Sequence, residues 1–219
     1  MTEHLTEVVH LPPPPRPHLV ALAPEPGPWV QTHTGLAMDL LNPRVEDVHY
    51  QDIHVALARA PRFAGHTIEP FSVGQHSVLV MRILDWMWME RGHVVPTEMR
   101  LATLLHDAHE AYMGDISTPV SNLPGLARPI FALKGRLQRV IHIAFGLPAA
   151  LPDEWLRMIA HADRVALATE KRDLMAPEPK PWAALPESAP VDLTSFAYRY
   201  DLARAWRDDL TALREEVKS

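Results

Sequence analysis

Residues 101–120 read LATLLHDAHEAYMGDISTPV. An apolar helical run ending at Leu105 delivers His106, Asp107, His109 and Glu110 in quick succession, and Gly114 ends the helix ahead of Asp115 and Thr118-Pro119. Ionisable groups on an otherwise apolar helix are costly to bury unless they are paired or hold a metal. The His-Asp dipeptide alone proves little: among 13 histidines and as many aspartates, about one such pair is expected by chance. Its weight comes from two further polar intrusions into apolar helical text, His76 in SVGQHSVLV and Asp163 in AHADRVALATE. Adjacent helical residues diverge by roughly 100°. An ion reached by both His106 and Asp107 therefore lies outside their helix and takes ligands from other helices. Jointly, His76, His106, Asp107 and Asp163 point to one divalent ion. Imidazole plus carboxylate without thiolate suits Mn, Fe, Co, Ni or Zn.

Around this stretch the chain reads as all-α. Residues 29–41, WVQTHTGLAMDLL, carry β-favouring residues about Thr34-Gly35 and predict a small N-terminal β-hairpin, ended by Asn42-Pro43. Helices follow: one capped by Asp52 and stopped at Pro61, one over 73–91, and one from Pro96-Thr97 to about Met113. Others span about 127–145 and 153–174, and a last one spans 195–216, where Phe196, Tyr200, Ala203, Trp206 and Leu210 recur at helical spacing. Trp86, Met87 and Trp88 read as core material rather than site residues. Proline concentrates in two segments of the 22-proline chain. These divide it into a Pro-rich N-terminal arm over 1–28 and a domain over 29–219 that contains a Pro-rich loop at 176–194.

Bulk properties narrow the function. A formal net charge of −6 argues against a nucleic-acid polymer as partner, since such binders carry a basic face. It leaves an anionic small molecule open. The absence of cysteine excludes disulfides and thiolate metal sites. No apolar run approaches the roughly 20 residues of a membrane span, and Met-Thr-Glu-His does not open a signal peptide. A cytoplasmic protein with no membrane partner is the expectation.

The order His76, His106-Asp107, Asp163 resembles the HD-domain superfamily. LLHDAHEAYMGDISTPV is similar to the 5′-deoxynucleotidase type of HD phosphohydrolase and to related bacterial and phage proteins acting on deoxynucleotides. DLLNPRVEDV, ARAPRFAGHT and FSVGQHSVLV match those proteins in order and spacing, so the resemblance covers about residues 29–174. It implies an HD-domain helical bundle, one divalent metal on the four residues above, and Glu110 and Asp115 as catalytic carboxylates. It also implies Arg62 as a contact for substrate phosphate, while Lys134 is a weaker phosphate candidate and Phe63 and His66 are candidate pocket residues. A homodimer is implied by resemblance only.

Each reading has a plainer alternative. Glu110 shares a helix flank with His106 and Asp107 and could relay a proton, or it could be a surface ion-pair partner. Asp115 could cap the next turn, and Arg62 could simply face solvent. His109, His142 and His161 raise the question of a second ion, against which one ion is preferred. The expected reaction is hydrolysis of a (deoxy)nucleoside 5′-monophosphate to nucleoside and phosphate. Two alternatives stay open: a deoxynucleoside triphosphate triphosphohydrolase, and a non-catalytic metal- and nucleotide-binding sensor.

Overall fold

The computed structural model describes residues 27–218, so nearly all of the Pro-rich arm lies outside the described residues. The chain runs β1 (Trp29–Gln31), β2 (Ala37–Asp39), α1 (Tyr50–Arg59), α2 (Val73–Met89), α3 (Thr97–Leu104) and α4 (Glu110–Met113). It continues through α5 (Thr118–Ser121), α6 (Ala127–Ala144), α7 (Asp153–Leu174) and α8 (Phe196–Lys218), with 3-10 turns at Val45–Asp47 and Arg62–Gly65. Among the described residues no helix is long and apolar enough to cross a membrane.

The hairpin forms where the β-favouring residues fall, with Val30 opposite Met38 in an antiparallel pair. Gly35 supplies the positive φ of 87° that the turn requires. Asp52 does not cap α1, which begins two residues earlier at Tyr50. Its carboxylate instead accepts hydrogen bonds from the Thr34 backbone N–H at 2.7 Å and the Thr34 hydroxyl at 2.9 Å. A charge that sequence spacing assigns to a helix end therefore ties the hairpin to the first helix.

Helix α2 is the axis of the domain. Ser72 and Gln75 form a reciprocal capping box at its start. Val73 through Met81 are all buried, as expected of a helix covered on every side. Helices α1, α3, α7 and α8 pack around it. Helix α8 contributes Leu202, Trp206, Leu210 and Leu213, spaced so that one stripe faces the core. Trp206 is 1% exposed and fits against α2 because Gly74 has no side chain. A Cβ there would meet the indole at 3.2 Å.

The helix expected over 97–113 is broken. Helix α3 stops at Leu104, and α4 resumes at Glu110. The cause is local: the Thr103 carbonyl accepts from the His106 backbone N–H at 3.3 Å and from His106 Nδ1 at 2.8 Å. Both bonds come from three residues on, so this carbonyl closes a tighter turn than the α-helix. Residues 105–109 then continue in turns through three-residue bonds such as Ala108 N–H to the Leu105 carbonyl.

The Pro-rich segment after α7 is tied to that helix. Arg172 donates to Ser188 Oγ, Ala189 O and Val191 O. The Ala189 and Leu193 backbone N–H groups donate to Thr169 Oγ1 and Asp173 Oδ2. Ala189 and Leu193 are themselves buried.

Two outcomes follow for stability. Trp206→Ala removes a fully buried indole wedged over α2 and should cost about 3–5 kcal/mol in urea unfolding. A loss under 1 kcal/mol would show that α8 is dispensable to the core. The second concerns His142, buried near the end of α6, where burial drives its pKa down from 6.5 to about 4. Below pH 6.5 the unfolded chain takes up a proton that the folded chain refuses, so stability present above that pH is lost as pH falls toward 4. Between pH 6.5 and pH 5 the loss is on the order of 1.5 kcal/mol. His142→Leu should flatten that part of the urea-midpoint profile, and an unchanged slope would place the titration elsewhere.

Candidate metal centre

Five elements converge on one buried cluster. Helix α2 supplies His76, the break after α3 supplies His106 and Asp107, α4 supplies Glu110, and α7 supplies Asp163 and Glu170. The 3-10 turn after α1 adds Arg62. His76 Nε2 lies 3.1 Å from Asp163 Oδ1 and 3.7 Å from Asp107 Oδ2, and His106 Nε2 lies 3.3 Å from Asp107 Oδ2. The ligand atoms of His76, His106 and Asp163 fall within 4.8 Å of one another. Asp107 stands beside this trio and also groups with His109 and Glu110 in a second set of the same spread.

The tautomers of both histidines are set from behind. His106 Nδ1–H donates to the Thr103 carbonyl at 2.8 Å, and His76 Nδ1–H donates to Glu170 Oε1 at 2.5 Å. Each Nε2 is thereby turned toward the cluster. Both are buried, and neither makes a hydrogen bond; the 3.1 Å approach of Asp163 to His76 is an ion-pair distance only. Unpaired imidazole nitrogens facing carboxylates are what a divalent cation would satisfy. A carboxylate–histidine arrangement behind the ligand is also how metal sites orient imidazole.

Charge points the same way. Asp107, Glu110, Asp115, Asp163 and Glu170 surround the cluster, against Arg62 and Lys134 as permanent cations. Burial, the largest influence on His76, and Arg62 both push its pKa down. Glu170 and Asp163 outweigh them and lift it to about 10. The carboxylates thus favour positive charge at His76, which a proton and a metal ion would contest. Burial pushes Asp107 up, yet His106, His109 and His76 bring it well below the usual carboxylate range. Glu110 moves the opposite way: burial first, then Asp107 and Asp115, raise it above the ordinary glutamate value. It is 4% exposed, and its Oε2 makes no hydrogen bond.

Arg62 does not face solvent. Its guanidinium meets Glu170 at 3.2 Å and Asp115 at 3.6 Å, while its buried Nε makes no hydrogen bond. Lys134 lies 3.8 Å from Glu110 Oε1. Phe63 sits beside Arg62, its ring under the guanidinium at 5.3 Å and against Trp182 of the Pro-rich segment at 6.2 Å. His66 is exposed at the end of the same turn, where its backbone N–H bonds the Phe63 carbonyl. It makes no ion pair or side-chain hydrogen bond with the cluster among the described residues. His109 and His142 share Gln138, which accepts from His109 Nδ1 at 3.0 Å and lies 2.8 Å from His142 Nε2. His161 is exposed.

Glu170 is the residue that sequence reasoning missed. It is fully buried and bonds both His76 and Arg62. A signal existed: it lies seven residues, close to two helical turns, after Asp163 and so on the same face of α7.

No family model matches the chain. The solved cyanophage S-2L HD phosphohydrolase (DatZ), bound to dA and one catalytic Zn2+ ion, superposes with a TM-score of 0.48 at 12% identity. The superposition covers 78% of this chain and 93% of that one. An uncharacterized protein of Rhodobacter capsulatus is 34% identical over 148 residues, 67% of this chain and 72% of the relative. The uncharacterized protein YfdR of Escherichia coli K12 is 34% identical over 141 residues, 64% of this chain and 68% of the relative. Each match takes in more than two thirds of the relative's length, and the chain belongs to the family of these two bacterial proteins.

Proposed function

We propose that the protein is a metal-dependent phosphohydrolase of the HD type that hydrolyses a (deoxy)nucleoside 5′-monophosphate to nucleoside and phosphate. The carrying observation is the convergence of two unbonded, buried Nε2 atoms with Asp107 and Asp163 beside Arg62 and two further carboxylates. His76, His106, Asp107 and Asp163 would hold one divalent transition ion. Such an ion supplies Lewis acidity toward phosphate oxygen and water.

The residues around it have separable tasks. Arg62, with an unbonded Nε and its other nitrogens shared between Glu170 and Asp115, would bind phosphate oxygens and balance charge that develops on them. Glu110 is a buried carboxyl with one unbonded oxygen, suited to hand a proton to the leaving nucleoside oxygen as its bond to phosphorus breaks. Asp115, half-buried against Arg62, would accept a proton from the attacking water. Glu170 touches neither substrate nor metal in this scheme; it positions His76 and Arg62. A pure sensor would need the ligands and Arg62 but neither Glu110 nor Asp115.

The monophosphate reading rests on the resemblance and on how few cations stand near the cluster. A triphosphate brings roughly two or three more negative charges that need partners. Besides Arg62, Lys134 at 3.8 Å from Glu110 is the one cation with a contact to the cluster among the described residues. Chromatography of products should show phosphate and nucleoside from deoxynucleoside monophosphates, at higher kcat/KM than for the matching triphosphates. Tripolyphosphate as the main product would replace this reading with the triphosphohydrolase.

Metal content separates ligands from catalysts. His106→Ala and Asp163→Ala should lose the ion in elemental analysis, and stoichiometric metal in both would remove the site. Glu170→Gln should lower stability and, in the protein that remains folded, weaken metal affinity about 10–100-fold. Glu110→Gln should retain the ion yet lose about 10²–10⁴ in kcat. Wild-type turnover in a folded Glu110→Gln protein would reduce that residue to an ion-pair partner of Lys134.

A further inference from the structure

Beside the cluster, α5 and the first half of α6 enclose an open groove of about 510 Å³. Its walls include Ile116, Ser121, Asn122, Arg128, Phe131 and Lys134. The groove joins the site at two points. Ile116 directly follows Asp115, and Lys134 reaches Glu110 at 3.8 Å. Its volume lies within the range of roughly 300–1,000 Å³ that small-molecule sites occupy.

The lining has a chemical character of its own. Phe131 is 79% exposed, an aromatic ring left in solvent at the edge of a cavity. Asn122 offers an amide donor and acceptor, and Arg128 a planar fork of donors. Both are exposed, with no side-chain hydrogen bond among the described residues. An aromatic face flanked by an amide and a guanidinium suits a flat heterocycle with hydrogen-bonding edges. A polyphosphate chain would need several cations instead. The groove offers it two, Arg128 and Lys134, and Lys134 also stands 3.8 Å from Glu110.

We propose that this groove receives the nucleoside of the substrate, with the base stacked on Phe131 and its edge met by Asn122 and Arg128. These three residues would then set substrate choice. The proposal rests on the phosphohydrolase reading above for the position of the reacting phosphate, and it adds the site of the leaving group.

The test uses the metal-loaded full chain and compares deoxynucleoside monophosphates with base-free 2-deoxyribose 5-phosphate. Phe131→Ala, at an exposed position, should lower the ratio of kcat/KM for the nucleotides over the base-free ester about 10-fold, through KM, as loss of one base–aromatic stack does. Asn122→Ala should change the order of preference among the four bases. An unchanged ratio in Phe131→Ala would overturn the proposal. So would relief of tripolyphosphate inhibition by Arg128→Ala alongside that unchanged ratio, which would assign the groove to a phosphate chain. Calorimetric binding of free deoxynucleosides to the same variants separates the two claims. If no phosphoester is hydrolysed, the phosphohydrolase reading fails by itself, while Phe131-dependent nucleoside binding still supports the groove and its absence overturns it.

Discussion

The buried carboxylate of Glu170 is the interaction on which the rest of the site depends. It has no solvent exposure and meets His76, also fully buried, on one side and Arg62 on the other. Burial alone would raise a glutamate pKa, yet Arg62 and His76 bring this one below the ordinary value. The three groups are mutually required: removing one partner of a buried ion pair commonly costs about 3–5 kcal/mol, because a charge is left without compensation. They also come from three separate elements, α7, α2 and the turn after α1. One carboxylate thus fixes which way His76 Nε2 points and where the Arg62 guanidinium stands.

That turn carries its own cost. Phe63 and Ala64 have φ values of 53° and 52°, followed by Gly65 at 81°. Consecutive left-handed residues with side chains are uncommon, and such backbone persists where its surroundings over-determine it. Here the surroundings are identifiable. The Arg62 backbone N–H bonds the Phe71 carbonyl at 2.9 Å, and the Val73 N–H bonds the Ala60 carbonyl at 2.9 Å, closing the loop at its base. The ion pairs of Arg62 then anchor its inner end. An arginine on a free loop would sample many positions; this one is held beside Asp115 and Glu170 before any ligand arrives.

The break between α3 and α4 gives the two halves of the motif different surroundings. The bonds of His106 to the Thr103 carbonyl close the helix early. His106 and Asp107 then project from turns toward α2 and α7, and α4 restarts with Glu110 facing Lys134 of α6. His106 and Asp107 thus leave the short irregular segment itself, while Glu110 opens the helix that follows it. Asp107 touches both sets, which couples the charge at Glu110 to the charge at the histidines.

The amino-acid sequence determined the helical class, the hairpin about Thr34-Gly35 and four polar residues that the fold brings together, because each leaves a local mark. A polar residue in an apolar helix, a glycine at a turn and a proline after a helix are all visible without a fold. His76, His106, Asp107 and Asp163 were legible in this way. Glu170 was not singled out, since a glutamate near the charged end of α7 looks like any solvated residue until α2 and the Arg62 turn close over it. Asp52 was read as a cap because spacing reports the nearest helix end, whereas its actual partner, Thr34, lies 18 residues away in sequence. The helix break was hidden for a related reason: periodicity registers which face is apolar, not that an imidazole takes a backbone carbonyl. Only the tertiary structure decided which charges meet, because pairing depends on distances between elements that no local pattern encodes.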